Sequence, residues 1–365
     1  METDNRISNE DQVDSPALLV YPDIIKQNIA TAVNIAGGPA MLRPHVKTHK
    51  MVEITRMLMN AGINKFKCAT VSEVEMLVIA GAGDILLAYQ PTTVKAKRLA
   101  QIAEANPDKT FGYLVDNHQS ADELHTIFQG KNLESWIDVN VGMNRTGASP
   151  ENALELYNYC KKRNYKVPVG LHAYDGHIHD TDFKLRYEHA EKVFKLITEL
   201  QSQIVRQTGE TPAIILGGTP CFPYYSKRQN IETSPGTFVF WDQGYKTMLP
   251  DMKFEIGAML LTRIISITDP VKICLDLGHK SIAAEGPLPR IFFPDHPDAK
   301  VLGQSEEHMV VEVKDTTIHK IGEAWYGIPT HICPTVALYE SVYVVENNKA
   351  SSNWLVIARD RRITY

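Results

Sequence analysis

The chain has 365 residues, 44% hydrophobic and 22% charged, with a formal net charge of -5. That length suits one large α/β domain with a smaller second one, and that composition excludes a disordered or fibrous protein. The slightly acidic balance leaves no electrostatic footprint for nucleic acid or an anionic membrane, so neither is expected as a partner.

The N-terminal stretch METDNRISNEDQVDSPALL is polar and acidic, without the basic segment and apolar core of a secretory signal. No run approaches the roughly 20 apolar residues of a membrane helix. Five cysteines, Cys68, Cys160, Cys221, Cys274 and Cys333, are odd in number and widely spaced. They argue against a disulfide framework and for a reducing, cytoplasmic setting.

From about Ser15 to Tyr245, short apolar runs alternate with longer amphipathic segments. Strands are expected at Ala17–Tyr21, Lys65–Ala69, Ile85–Ala88, Thr110–Val115, Ser135–Val139, Val167–Ala173 and Ala213–Leu216. Apolar residues at helical spacing predict helices such as Val71–Ala80 and Asp182–Gln203. Repeated β-α units over this span predict a parallel sheet closed into a (β/α)8 barrel. After Tyr245 the texture turns to β: Phe254–Ile267, Lys272–Leu277, His308–Val313, Glu323–Tyr326, Ser341–Val345 and Trp354–Ala358, separated by turn residues. The expected organisation is therefore α/β, with a barrel over 15–245 and a mostly β domain over 246–365. Residues 1–14 are either a flexible tail or part of the β domain.

Chemistry-bearing residues gather in six places. The first is Arg43-Pro44-His45-Val46-Lys47-Thr48-His49-Lys50, directly after an apolar triplet. On a strand, Arg43, His45, Lys47 and His49 would share one face, the lumen of a barrel or its rim. Lysines do not normally face inward unless catalytic or paired with an anionic ligand; a basic surface turn is the alternative. The second, Asp138 to Gly147, ends an apolar strand in a Gly-containing turn with Arg145 at the carboxyl end, where barrel enzymes place catalytic groups. The third, Gly170 to Asp180, runs from a strand into a loop with His177 and His179, which suit acid–base work or metal ligation, or a solvated loop.

The Gly217-Gly218-Thr219 turn after a strand can expose backbone N–H groups to a phosphate, and Ser234-Pro235-Gly236-Thr237 could supply more of them. The sixth place is Pro329 to Thr335. If extended, His331 and Cys333 project from one face at metal-ligand reach. A thiolate–imidazole pair favours zinc, with manganese and magnesium as alternatives, and two protein ligands leave room for water or substrate. A packing cysteine beside an unrelated histidine is the other reading.

In this order, the Arg-Pro-His-Val-Lys-Thr and His-x-Cys segments resemble the D-threonine aldolase and D-serine dehydratase family. These are metal-activated pyridoxal 5′-phosphate (PLP) enzymes of alanine-racemase-like fold, and the resemblance runs from Ser15 to Thr335. It implies an N-terminal (β/α)8 barrel, a C-terminal β domain and a homodimer acting on a small D-amino acid. It also implies that Lys47 carries PLP, with His45 beside it. Arg145 would lie near the cofactor's phenolic oxygen, Tyr174 would contact the cofactor, and Gly217, Gly218, Thr219, Gly236 and Thr237 would form its phosphate turns. His331 and Cys333 would be the metal pair.

The activity expected from this is a lyase on β-hydroxy-D-amino acids. Retro-aldol cleavage to glycine and an aldehyde stands first, and elimination to a keto acid and ammonia second. Either Lys47 or one of His177 and His179 moves the proton. Cys333 is the dehydratase-like choice, since aldolase members often carry a carboxylate there. Racemisation fits less well: racemases place an arginine where this chain has Ser234. A non-catalytic PLP-binding protein is the remaining alternative, although such proteins are typically single barrels without a β domain.

Overall fold

The computed structural model describes residues 6–363. They group into two compact units. One comprises Ala32–Lys47, Val52–Gly236 and the residues from Asp360 on. Its strands, Lys65–Cys68, Asp84–Leu87, Thr110–Val115, Leu133–Val139, Gly170–Ala173, Ala213–Leu216 and Ile231–Thr233, form a parallel sheet in that order. The two open edges are joined by the segment Leu42–His45: Leu42 bridges Thr233 and His45 bridges Lys67. Arg43 N–H donates to the Thr233 carbonyl at 2.8 Å, and Lys67 N–H to the Pro44 carbonyl at 2.9 Å. Pro44 has no N–H to give a ladder, so this first stave shows bridges rather than a regular strand. The result is the expected (β/α)8 closure.

A helix follows each strand from Lys65–Cys68 to Ala213–Leu216, and the starts of several are written in the sequence. Thr70 Oγ1 accepts the Glu73 N–H at 3.1 Å and Gly81 ends the same helix at φ 98°, so Val71–Ala80 is bounded by a cap at each end. Asn117, Ser149 and Asp182 cap three later helices in the same way.

Leu86, Leu114, Trp136 and Ile215 pack together within this unit. A Cβ on Gly170 would come within 2.3 Å of the Trp136 ring, and one on Gly112 within 3.1 Å, so both glycines make room for the indole. Arg43 holds the Asp84 carboxylate at 2.6 Å and Glu232 at 2.8 Å, with its own side chain 3% exposed. Removing the guanidinium takes a buried partner from both carboxylates, although Glu232 keeps Lys65. Arg43→Ala is expected to cost about 3 kcal/mol of stability, read from the shift in a urea unfolding midpoint.

The other unit takes the residues up to Thr31, Thr48–Met51 and Thr237–Arg359. Its central strand Ala258–Asp269 pairs antiparallel with Ala17–Val20, Lys272–Leu275 and Ala324–Pro329. Ala17–Val20 also lies parallel to Ser341–Glu346, which forms a hairpin with Lys349–Leu355. Met309–Glu312 and Lys300–Gln304 extend the sheet beyond Lys272–Leu275, and Ile291–Phe292 pairs with Ala324–Pro329.

This division differs from the expected break at 245/246 and from a barrel that begins at 15. Ala17–Val20 belongs to the β unit because its hydrogen-bond partners do, a choice its own apolar run does not encode. Residues 237–245 group with the β unit, and residues 360–363 with the barrel. Of the N-terminal stretch, residues 1–5 lie outside the described residues. From Ser8 the chain is tied into the β unit: Ser8 N–H donates to Asn348, and Asn9 exchanges side-chain hydrogen bonds with Ala350.

Candidate active site

The candidate residues Lys47, Arg145 and Tyr174 follow the carboxyl ends of barrel strands. Lys47 follows the first stave, and the strand pattern expected to continue through His49 stops at His45. Val46–Thr48 is a 3-10 turn, and the Lys47 N–H donates to His45 Nδ1 at 3.2 Å. The four-residue shared face is therefore not realised. Arg43 is committed to its carboxylates, whereas His49 is buried in the other unit, where its Nδ1 accepts the Met51 N–H at 3.1 Å. Burial, with help from Lys50, pushes His49 down to about 3.

The Tyr174 ring gathers three cations. Lys47 Nζ lies 5.9 Å from its centroid, Lys67 Nζ 5.7 Å and Arg145 Cζ 5.3 Å. Tyr174 is fixed by glycines on either side: a Cβ would come within 2.4 Å of the ring from Gly176 and 2.8 Å from Gly218. Arg145 is presented by a tight loop. Asn140 Oδ1 accepts N–H groups from Gly142 and Asn144, and the loop closes where the Asn140 N–H donates to the Ala148 carbonyl and the Ala148 N–H to the Asp138 carbonyl. His177 and His179 are both exposed. Of the two, His177 packs on this loop, its Nε2 only 2.8 Å from where a Gly142 Cβ would stand.

The glycine turns need a correction. The N–H of Gly217 is given to the Ala173 carbonyl at 3.0 Å and that of Gly218 to the Asp175 carboxylate at 2.9 Å, so neither is a free phosphate donor. These glycines are required by packing instead, Gly217 against Tyr225 and Gly218 against Tyr174. Thr219 is buried, with its Oγ1 accepting the Gly236 N–H at 3.1 Å. Beside Gly236, Ser234 is 3% exposed and its hydroxyl has no hydrogen-bond partner among the described residues. A buried hydroxyl without a partner is costly unless a ligand completes it. Surplus cations around an aromatic ring and this orphaned hydroxyl fit an anionic, hydrogen-bonding cofactor such as PLP.

Lys67, Asp138 and His172 are functional candidates that sequence reasoning passed over. Asp138 and His172 stand opposite one another on neighbouring strands, with His172 Nδ1 2.8 Å from Asp138 Oδ1. The far side of the imidazole, Nε2, lies 3.4 Å from Lys67 Nζ. Burial would raise Asp138, but hydrogen bonds from His172, Thr146 and Gln90 hold it below the usual carboxylate range. Burial and the neighbouring Lys67 charge push His172 down. The available signal was a lysine in mid-strand between buried Phe66 and Cys68.

In the β unit, His331 and Cys333 are not on an extended segment as expected. Ile332–Val336 is a short helix with His331 at its N-cap, and the turn still brings the two side chains together. A hydrogen bond to Cys333 and another to Glu285 outweigh burial and push His331 up to about 9. Glu285 Oε1 meets His331 Nδ1 at 2.5 Å, and a carboxylate there leaves Nε2 for a metal. Cys333 Sγ sits 3.1 Å from Thr48 Oγ1 and 3.6 Å from Thr237 Oγ1. Asp242 fixes the turn by accepting the Ile332 N–H at 3.0 Å. Among the described residues, no group of three or more His, Cys, Asp or Glu side chains is placed to hold a metal ion. The donor set is thus a borderline-soft pair that would leave coordination positions open.

Two family descriptions match the chain: "Alanine racemase, N-terminal domain" over residues 20–242 and "Putative serine dehydratase domain" over 257–345. A D-threonine aldolase from Arthrobacter sp is 27% identical over 360 residues, covering 95% of this chain and 93% of the relative. A 3-hydroxy-D-aspartate aldolase from Paracoccus denitrificans (strain Pd 1222) is 25% identical, covering 97% and 94%. Among solved structures, D-threonine aldolase from Filomicrobium marinum superposes with a TM-score of 0.86 at 26% identity, covering 95% of this chain and 96% of that one. Among the described residues, no helix is long and apolar enough to cross a membrane.

Arg145 offers a direct check on cofactor binding. A guanidinium bonded to an anionic cofactor oxygen contributes roughly 1.5–3 kcal/mol. Arg145→Ala is expected to weaken PLP retention by about ten- to a hundredfold, measured by equilibrium dialysis. Unchanged affinity would make it a residue of the loop alone.

Proposed function

Because the chain belongs to the family of the alanine racemase N-terminal domain, with a serine-dehydratase-type domain behind it, we propose that it is a PLP- and divalent-metal-dependent lyase of β-hydroxy-D-amino acids. The observation that carries this reading is the convergence of Lys47 and Arg145 on the Tyr174 ring at the mouth of the barrel. In this reading Lys47 holds the cofactor, Arg145 and Tyr174 position it, and Ser234 offers it a buried hydroxyl, while Thr219 and Gly236 are hydrogen-bonded to each other. Bound PLP supplies the electron sink for the charge left at Cα.

Retro-aldol cleavage to glycine and an aldehyde is the first reading. His177, packed on the Arg145 loop, takes the proton from the β-hydroxyl; the Cα–Cβ bond breaks, its electron pair stays with Cα, and Cβ leaves as the aldehyde. His331 and Cys333 would hold the metal, which supplies Lewis acidity for the hydroxyl. Elimination is the second reading, favoured by the thiol of Cys333 and by the match over 257–345. There Lys47 removes the α-proton and the β-hydroxyl departs as hydroxide. Product analysis on D-threonine, D-serine and 3-hydroxy-D-aspartate, with and without added divalent metal, tests both. Glycine plus an aldehyde supports cleavage, and a keto acid plus ammonia supports elimination. Bound PLP with no turnover of any of the three would overturn the lyase assignment in favour of a cofactor-binding protein.

A further inference from the structure

Lys67 is 2% exposed and is the one lysine among the described residues that is buried. A buried ammonium is retained only where something pairs with it. Among the described residues, the hydrogen-bonding neighbour of its amine is His172 Nε2, at 3.4 Å. Asp138, accepting at Nδ1, fixes the tautomer in which Nε2 is an acceptor. Gln90 and Thr146 each donate to Asp138 Oδ2 at 2.9 Å, which locks the carboxylate in turn. Lys67 is thus the end of a built chain, held at a defined point beside the Tyr174 ring that Lys47 and Arg145 also approach.

We propose that Lys67 is a second cofactor-site lysine, one that forms no covalent bond: the Asp138–His172 pair holds its amine in place to balance the negative charge of a phosphate-bearing cofactor. The proposal rests on the reading that PLP binds at Lys47. The charged groups around Lys67 explain why an anion is needed. Burial pushes Lys67 down to about 7, the Lys47 charge adds to this and Arg43 does so more weakly, while Asp175 and Asp138 oppose it. The neutral His172 gives no countercharge, and Arg145 across Tyr174 adds a further positive one. An empty site therefore holds Lys67 only partly charged near neutral pH, and an arriving anion restores its proton.

The sign follows directly. At pH 8 binding must take up a proton at Lys67; at pH 5.5 the amine is already charged and uptake there vanishes. Pyridoxine 5′-phosphate, which has no aldehyde to react with Lys47, is the probe, titrated calorimetrically into cofactor-free protein in buffers of different ionisation enthalpy. Lys67→Met is expected to lose about one proton of uptake relative to wild type at pH 8 and to bind roughly tenfold or more weakly. Lys67→Gln, which keeps a donor for His172, gives the same reading if the methionine variant fails to fold. Uptake and affinity unchanged in a folded variant would overturn the role of Lys67. Failure of the cofactor reading itself is seen separately, as wild-type protein that forms no borohydride-reducible adduct with PLP.

Discussion

Lys47→Ala is expected to lower lyase turnover by at least about a thousandfold, because it removes both the covalent attachment of the cofactor and the amine that moves the proton at Cα. Borohydride reduction of the wild-type holoenzyme should place the pyridoxyl label on Lys47. The structure supplies two rivals against which this is a real test. Lys67 shares the Tyr174 ring but is 2% exposed and engaged with His172. Lys50 lies beyond the 3-10 turn, with its carbonyl accepting the Ala358 N–H at 3.2 Å. Lys47 is less enclosed and sits at the end of a barrel stave. A label on Lys67 would exchange the roles of the two lysines, and a label on Lys50 would overturn the reading of the whole Arg43–Lys50 cluster.

How much of this was legible in advance depends on whether the information is local. Val71–Ala80 is written with its own stop signals, a capping threonine and a left-handed glycine, and it forms over those residues. The barrel follows from the repetition of β-α units, although Ile231–Thr233 is too short to announce itself. The partner of a strand is not local information. Ala17–Val20 has an apolar run that would suit a barrel, yet it pairs with Ala258–Asp269, more than 200 residues away. The same limit governs the site. Lys47 and the His-x-Cys pair stand in distinctive short motifs, whereas Lys67, Asp138 and His172 acquire meaning only when strand register sets Asp138 against His172 and barrel closure sets Lys67 beside His45. Regular alternation was also overextended through His49: a side-chain to backbone hydrogen bond at His45 ends the strand first.

Removing the metal is expected to abolish lyase turnover while leaving the absorbance of the lysine-bound cofactor in place. The reasoning starts from the donor pair. His331 and Cys333 combine an imidazole with a thiol, and Glu285 holds the His331 ring at Nδ1, leaving Nε2 as its other donor atom. The thiol is steadied by Thr48 and Thr237 hydroxyls, and the turn itself by Asp242. A metal on this pair can bind the β-hydroxyl and favour its ionisation, which PLP alone does not do. Chelation, or Cys333→Ala, should therefore stop product formation without releasing PLP. Added zinc or manganese should restore the chelated protein but not the double variant lacking both side chains. Glu285→Gln should weaken metal affinity by about ten- to a hundredfold, read by competition with a chelating dye, since it loosens the ring without removing a ligand. Full turnover in a preparation shown by elemental analysis to be metal-free would sink the metal assignment, and loss of PLP along with the metal would recast His331 and Cys333 as structural residues.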